Sequence, residues 1–237
     1  MSREPDHFAW HPLPDGGAAV RWPASGAVTP HELETAGRAW RAAGVRYAQV
    51  CLPLPTLTPT DTLHAAGFRP LTVLELHRRP VAAADADPPP PGGLALVPFD
   101  RLDPGLVKRT LALTYVGSLD GPELNALRLD DGPPDDPPAG LSVLAFRGPE
   151  AVGVLTLDAD GPLLELSYLG VVPAARRTGV AAALVGFALA HAALSGREAV
   201  CLSVDARNAP ARALYARFDF AVTERRAVWW WINGGDR

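Results

Sequence analysis

The sequence has few cysteines, a single lysine and no long uninterrupted hydrophobic run. Its two cysteines, Cys51 and Cys201, each lie in a short apolar segment, so we expect reduced core residues rather than a disulfide or a metal pair. No stretch approaches the roughly 18 apolar residues that a membrane span needs. Residues 1–14 lack the apolar core of a signal peptide. We therefore expect a cytoplasmic protein that binds neither metal nor membrane.

A strong charge of one sign is also missing. The formal net charge is −4 and no long basic stretch occurs, which argues against nucleic acid as a partner. Apolar residues make up 48% of the chain, which is enough for a hydrophobic core and excludes a disordered protein. The 237 residues are many for one small domain and few for two complete ones. We expect a monomer or a homodimer.

A proline- and glycine-rich segment, residues 81–93, predicts a stiff linker between residues 1–80 and residues 94–237. After the linker, apolar periodicity and turn residues predict the order β-α-α-β-β-β-α-β-α-β. The predicted strands are residues 94–97, 141–146, 151–157, 163–172, 199–204 and 227–232. The predicted helices are residues 104–116, 121–129, 176–193 and 210–218, with residues 130–140 irregular.

Before the linker, the strongest local signal is a helix start. Thr29, Pro30 and Glu32 fit a capping box with proline in the first helical position, and Gly44 ends the helix. Around this helix, the pattern predicts strands over residues 18–22, 45–52 and 71–76 and a short helix over residues 60–67.

A strand followed by a glycine-bearing turn is the most informative stretch of the chain. Residues 163–172 predict a buried strand, which Pro173 ends because proline cannot donate a ladder hydrogen bond. The following helix is predicted to begin at Arg176. A helix start has unpaired N–H groups and a partial positive charge, so it attracts phosphate oxygens, and Gly179 and Ala181 carry no bulk there. Neither the dinucleotide-binding nor the Walker glycine loop occurs.

This turn resembles a known family signature. Val171-Val172-Pro173-x-x-Arg176-x-x-Gly179-Val180-Ala181 is similar to the acetyl-CoA-binding motif [QR]-x-x-G-x-[GA] of the GCN5-related N-acetyltransferases (GNAT). Asn208-x-x-Ala211-x-x-Leu214-Tyr215, followed by Phe220, resembles that family's second motif. The resemblance implies an α/β (α+β) acyl-CoA N-acyltransferase fold over residues 94–237, with a mixed twisted sheet and a splayed central strand pair. The alternative is an ordinary strand–helix junction with surface arginines.

The first 80 residues resemble the second half of the same domain, with Ala66-Gly67-Phe68 in the place of the usual Leu-Gly-Phe. No glycine turn of the family type precedes the helix at Pro30. The resemblance therefore implies a partial or degenerate GNAT-like lobe without its own CoA site, as in tandem acetyltransferases. An unrelated α/β cap remains the alternative.

The resemblance also implies how acetyl-CoA, the expected cosubstrate, is held. Backbone groups near Val171 would hold the pantetheine arm at the splay and polarise the thioester carbonyl. The turn would hold the pyrophosphate. Asn208 would contact the pantetheine region, although pure helix capping is an open alternative. The expected cofactor-binding residues are Leu169, Gly170, Val171, Arg176, Arg177, Thr178, Gly179, Val180, Ala181 and Asn208.

Two residues are expected to carry the chemistry. By resemblance, Tyr215 is the general acid that protonates the leaving thiolate, unless it is only a packed helix tyrosine. Glu165 is the candidate base, because it precedes Arg176 by the eleven residues seen in one branch of the family. A lone carboxylate among leucines would have a raised pKa if buried. A water chain, oriented by Ser167 and Tyr168, is the alternative if Glu165 faces solvent.

Two positions depart from the family pattern. Arg177 stands where the family often has glycine, which should tighten the turn without abolishing it. Asp219 replaces the glycine before the final Phe220, and we expect it in the left-handed conformation.

The acceptor is expected to be a primary amine of a small molecule or peptide. By resemblance, its site would involve Tyr115, Asp120, Glu123, the acidic residues 130–136 and Trp229, Trp230 and Trp231. An acidic rim would attract a cationic amine. The alternative is that these carboxylates merely solvate a proline-rich loop. The sequence thus predicts an acetyl-CoA-dependent N-acetyltransferase with direct attack by the amine. A non-catalytic CoA-binding sensor or interaction module is the alternative.

Overall fold

The computed structural model of the chain describes residues 9–12, 16–21, 28–55, 59–86, 93–119 and 141–234. The chain forms two compact units. The first unit contains Met1–Glu75, Asp205–Arg207 and Glu224–Arg237, and the second contains Leu76–Val204 and Asn208–Thr223. These bounds differ from the predicted division at residues 81–93, because the last strand of the chain pairs with a strand of the first unit.

Most elements lie within a few residues of their predicted bounds. The strands are β1 (Ala9–Pro12), β2 (Gly17–Arg21), β3 (Tyr47–Pro53), β4 (Arg69–Pro80), β5 (Ala95–Pro98), β6 (Leu141–Arg147), β7 (Glu150–Asp160), β8 (Leu163–Val171), β9 (Ala199–Asp205) and β10 (Ala221–Ile232). The helices are α1 (Pro30–Ala42), α2 (Thr60–Ala65), α3 (Pro104–Tyr115), α4 (Val180–Leu194) and α5 (Ala209–Arg217). The predicted helix over residues 121–129 and the irregular residues 130–140 lie outside the described residues.

The first unit has an aromatic core. Its strands β1 and β2 pair antiparallel, β2 and β3 pair parallel, and β3 pairs antiparallel with residues 226–232 of β10. Trp40 of α1 is fully buried and packs edge-on against Phe68 at 5.9 Å and Trp231 at 5.1 Å between ring centroids. The buried residues of this core also include Leu33, Val50, Leu52, Leu63 and Trp229.

The capping box of α1 is confirmed. The Thr29 hydroxyl accepts a hydrogen bond from the Glu32 N–H at 3.3 Å, and the Glu32 carboxylate accepts one from the Thr29 N–H at 2.8 Å. These bonds from Thr29 lower the pKa of the Glu32 carboxyl below its ordinary value. The first turn of α1 therefore supplies its own anion.

The second unit is built on strands in the order β9-β8-β7-β6-β5. The pair β8–β9 is parallel and the other pairs are antiparallel. Successive side chains of β6 and β7 point to opposite faces of the sheet. One face packs with α4 in an aliphatic core that includes Leu155, Leu157, Leu184 and Val185, and the other packs with α3 through Val107, Leu144 and Val154.

Three predicted bounds differ by four residues or more, and one of them is the end of β4, which lies at Pro80 rather than at residue 76. Helix α4 begins at Val180 rather than at Arg176, because Arg177 at φ 64° and Gly179 at φ 89° adopt left-handed backbone that a helix excludes. A short 3-10 turn, Pro173–Ala175, occupies the start of that segment instead. Strand β10 begins at Ala221 rather than at residue 227, because the polar residues at its start pair as an exposed continuation of the strand.

Candidate functional site

Strands β8 and β9 of the second unit diverge. Their parallel register covers only Leu163–Glu165 against Ala199–Cys201, and no pairing between them extends further in the described residues 141–234. The predicted splay is therefore present. It leaves the edge of β8 from residue 166 onward available to another extended chain.

The backbone groups at this edge can be identified from the register. The Val172 N–H donates to the Val152 carbonyl of β7 at 3.1 Å. Because neighbouring residues of a strand point their backbone groups to opposite sides, the N–H groups of Leu169 and Val171 point towards the splay. A bulge lies further back: Tyr168 pairs with Thr156 and Leu166 with Leu157, so Ser167 between them has no register partner on β7.

The turn between β8 and α4 presents an uncapped helix start. Gly179 is the N-cap of α4 and no side chain caps the helix. A Cβ built on Gly179 would meet nothing within 4 Å, so the space in front of the helix is open. The first N–H groups of α4 have no intrahelical partner, and the first turn carries no acidic residue. This geometry fits an anion.

Arg147, the last residue of β6, contacts this turn and was not predicted from the sequence. Its guanidinium donates to the Thr178 hydroxyl at 3.1 Å and to the Thr178 carbonyl at 3.4 Å. The Thr178 hydroxyl in turn donates to the Ala175 carbonyl at 2.7 Å. The end of β6 therefore fastens the turn and adds a second exposed cation beside Arg177. No sequence motif marks Arg147.

The motif arginine, Arg176, has a different environment from the one the sequence suggested. Its guanidinium donates to four carbonyl oxygens: Val171 at 3.1 Å, Thr114 at 3.1 Å, Val116 at 2.6 Å and Gly117 at 3.5 Å. Three of these carbonyls end helix α3, where a cation is favourable. Arg176 therefore ties the end of α3 to β8, and its charge faces carbonyl oxygens rather than the opening in front of α4.

Gly170 permits a close approach between β8 and α3. A Cβ at this position would lie 2.6 Å from the Thr114 Cβ and 2.7 Å from the Tyr168 hydroxyl oxygen, both closer than real contacts. The Thr114 hydroxyl and the Tyr168 hydroxyl lie 2.6 Å apart. The Tyr115 ring lies 5.3 Å from the Tyr168 ring. The α3 side of β8 thus carries a packed group of hydroxyls and aromatic rings.

Tyr215, the predicted acid, lies on α5 in the aliphatic core. Tyr215 is 6% exposed. Its ring centroid lies 5.8 Å from that of Phe220 and 6.2 Å from that of His77, a residue of β4 that belongs to the second unit. The predicted cap of α5 is confirmed, because the Asn208 side chain accepts from the Ala211 N–H at 3.1 Å. The left-handed conformation predicted for Asp219 is also confirmed, at φ 60°.

Glu165, the predicted base, is exposed. It faces Asp158 across β7 and Cys201 across β9 in the strand registers. The Ser167 hydroxyl donates to the Asp158 carboxylate. The burial that was expected for Glu165 is absent, because alternation along β8 sends Leu164 and Leu166 into the core and Glu165 to solvent.

The three tryptophans expected near the acceptor are buried in the first unit. They alternate along β10: Trp229 and Trp231 lie in its core, and the Trp230 ring stacks on the Tyr47 ring with 5.8 Å between centroids. They are therefore unavailable as an acceptor surface. Asp120, Glu123 and residues 130–136 lie outside the described residues.

Cys51 and Cys201 form no disulfide. Within the described ranges, no group of three or more metal-ligating side chains occurs. In that same part of the chain, every helix is too short or too polar to cross a bilayer.

The sequence of the second unit matches a known family. Residues 114–220 match the profile described as the Acetyltransferase (GNAT) family. A mycothiol acetyltransferase from Thermobispora bispora is 34% identical over 177 residues, which cover 68% of this chain and 59% of that protein. The chain thus spans less than two thirds of that curated relative's length.

Solved structures share the fold over nearly the whole chain. A GCN5-related N-acetyltransferase from Sphaerobacter thermophilus has a TM-score of 0.62 at 19% identity, covering 97% of this chain and 78% of that one. A tandem GNAT protein from the clavulanic acid biosynthesis pathway has a TM-score of 0.60 at 15% identity, covering 95% of this chain and 78% of that one. At these identities the likeness concerns the fold alone.

Proposed function

Because the chain belongs to the GNAT acetyltransferase family, we propose that it is an acetyl-CoA-dependent N-acetyltransferase acting on a primary amine of a small molecule. One observation carries the proposal. The edge of β8 that faces the splay runs directly into an uncapped, glycine-bearing helix start. A ligand with an amide-containing arm and a pyrophosphate matches these two features in that order.

We assign the pyrophosphate to the turn before α4. The N–H groups of Gly179, Val180 and Ala181 would donate to its oxygens, and the positive end of the α4 dipole favours its charge. Arg177, Thr178 and the newly identified Arg147 lie at the same turn. Leu169, Gly170 and Val171 would bind the pantetheine arm as an added strand.

Bound acetyl-CoA would supply an acetyl group activated as a thioester. The Val171 N–H, which points towards the splay, is the donor we assign to the thioester carbonyl, where negative charge develops. Tyr215 is the proton donor we assign to the leaving sulfur. Arg176 would act indirectly, by holding the Val171 carbonyl and so the strand that carries this N–H.

The amine must be neutral to attack. Glu165 is exposed, so we propose that it takes the proton through water, with Ser167 and Asp158 beside it on the same surface. No covalent intermediate on the enzyme is needed. The Cys201 thiol donates to the Leu164 carbonyl at 3.8 Å, within the sheet.

The curated relative's name points to a first acceptor. A mycothiol-related amine is the first acceptor we propose to test. Peptide amines form the second class in the panel.

A non-catalytic CoA-binding module is the second candidate function. The burial of Tyr215 favours it, because a tyrosine packed among apolar residues can serve the core alone.

Calorimetric titration with acetyl-CoA, paired with a thiol-release assay over the amine panel, tests the proposal. We expect binding, and turnover on at least one amine. Tyr215→Phe should lower kcat by about a hundredfold or more while the dissociation constant of CoA changes less than about twofold. Binding without turnover on any amine would favour the second candidate. Undiminished turnover by the Phe variant would remove Tyr215 as the acid, and absence of binding would overturn both candidates.

A further inference from the structure

The first unit contains a cavity that the acetyltransferase site does not use. It has a volume of about 440 Å³ and lies between one face of α1, the end of α2 and the end of β10. This size falls in the range of roughly 300–1,000 Å³ typical of small-molecule sites. Its lining combines polar groups, including Glu34 and Arg41, with an apolar part formed by Leu33, Ala65, Ala66, Ile232 and the Trp231 indole.

Three nitrogen donors converge at one point of this cavity. A Cβ built on Gly37 would lie 3.7 Å from Nη2 and 3.8 Å from Nη1 of Arg41, and 3.8 Å from Nε1 of Trp231. Gly37 lies in the middle of α1, where glycine weakens a helix relative to alanine. Helix formation does not require a glycine there. Because Gly37 has no side chain, there is open space in front of the three nitrogens.

The Trp231 indole N–H faces this space without a partner. Trp231 is 4% exposed and lines the cavity. Its contacts are ring contacts with Trp40 and Arg41, and its N–H donates no hydrogen bond within the described ranges of the chain. The indole nitrogen is accessible within the cavity rather than sealed in the core, so an acceptor oxygen from a ligand can reach it.

Arg41 supplies the charge. Its guanidinium lies 5.7 Å from the centroid of the Trp231 ring, and it has no salt bridge to any residue in the described part of the chain. The carboxylate of the lining residue Glu34 pairs with Arg38 at 2.9 Å. The local charge in front of Gly37 is therefore positive.

We propose that this cavity binds a small carboxylate with a flat apolar body, such as an aromatic acid. The carboxylate would lie over Gly37, accept from the planar fork of Arg41 and from the indole N–H, and leave its apolar part against Leu33, Ala65 and Ala66. This site is separate from the acetyl-CoA site and does not depend on the proposed function.

Titration of the full-length chain with benzoate, followed in ¹H–¹⁵N spectra, tests the proposal. The chain has six tryptophans, so the indole region holds few signals, and that of Trp231 is assigned by through-bond experiments. We expect benzoate to shift the Trp231 indole signal saturably, with a millimolar or tighter dissociation constant. Benzamide, its neutral analogue, and inorganic phosphate should bind at least about tenfold more weakly.

Gly37→Ala is the decisive variant, because its methyl group would make ordinary contacts and fill the point where the donors converge. It should raise the melting temperature by about 2–4 °C and weaken benzoate binding at least about tenfold. Gly186→Ala, in the interior of α4 where a Cβ meets nothing within 4 Å, should raise stability without changing benzoate binding. Arg41→Gln should abolish the response and Arg38→Gln should keep it.

Several results would overturn the proposal. One is the absence of any Trp231 shift with benzoate, and another is an equal shift with benzamide. Phosphate binding as tight as that of benzoate would show that the apolar part of the ligand does not contribute to binding. Unchanged benzoate binding by Gly37→Ala would show that the oxygen does not lie over Gly37.

Discussion

Helix α1 of the first unit and helix α4 of the second both follow a strand along the chain, but their first turns are satisfied in opposite ways. In α1, Thr29 and Glu32 exchange hydrogen bonds, so a carboxylate of the chain already occupies the positive end of the helix. In α4, Gly179 offers no side chain and the first turn has no acid. We propose that the N-cap and the third helical residue determine whether such a junction can accept a phosphate. Substitutions at these positions test whether they account for the difference.

The largest effect is expected from Gly179→Val. Valine at φ 89° is strained and its side chain would enter the space in front of α4, so the affinity for CoA should fall by about a hundredfold or more by calorimetry. Gly196→Val is the matched control, at φ 66° at the other end of α4 and also with nothing within 4 Å of its Cβ. Equal loss of CoA affinity in both variants would attribute the effect to stability and refute the anion site.

A smaller effect is expected when α4 receives the acid that α1 has. Ala182 occupies the third helical position of α4, as Glu32 does in α1. Ala182→Glu should weaken CoA binding by about fivefold through charge repulsion, and the loss should shrink with added salt. Ala182→Gln controls for size and should bind CoA normally. If both variants bind equally well, charge at this position does not distinguish the two junctions.

The reverse test concerns stability alone. Thr29→Ala removes the cap of α1 and should lower the free energy of unfolding by about 1 kcal/mol, measured by urea denaturation. Its affinity for CoA should equal that of the wild type. Thr35→Ala, an exposed change in the middle of α1, should not lower stability. Reduced CoA affinity in Thr29→Ala would assign a ligand role to the first junction.

The smallest effect is a pH dependence. The Glu32 pKa lies below its ordinary value of 4.5, so its ionised form stabilises the folded state above that pH. This stabilisation should disappear as the pH falls through the lower folded pKa. The difference in unfolding free energy between wild type and Glu32→Gln should therefore shrink in acid. A pH-independent difference would contradict the capping role of the carboxylate.

The features that depend on neighbours in sequence could be predicted. The caps of α1 and α5 by Thr29 and Asn208 are confirmed, because a side-chain oxygen and an N–H three residues on lie within one turn. The order of strands and helices along the chain was predicted from apolar periodicity, and the fold class was predicted from the family resemblance. The solved structures that share the fold confirm the fold class.

The features that depend on contacts between residues distant in sequence could not be predicted. Arg147 lies 31 residues from Thr178, and Arg176 lies 62 residues from Thr114, so neither hydrogen bond leaves a local pattern. The left-handed backbone of Arg177 moved the start of α4 by four residues from its predicted position, because tertiary contacts at this turn outweigh the helix propensity of arginine. The exposure of Glu165 was one of two open readings of an alternating strand.

The shared strand β10 has a consequence for the order of events during synthesis. Residues 226–232 pair with β3, and Trp229 and Trp231 complete an aromatic core whose other members lie between residues 18 and 68. The ribosome makes those members first, yet their partners emerge more than 150 residues later. The aliphatic core of the second unit, which ends at Phe220, can therefore assemble before the first unit is able to close. In this protein the unit that begins first finishes last.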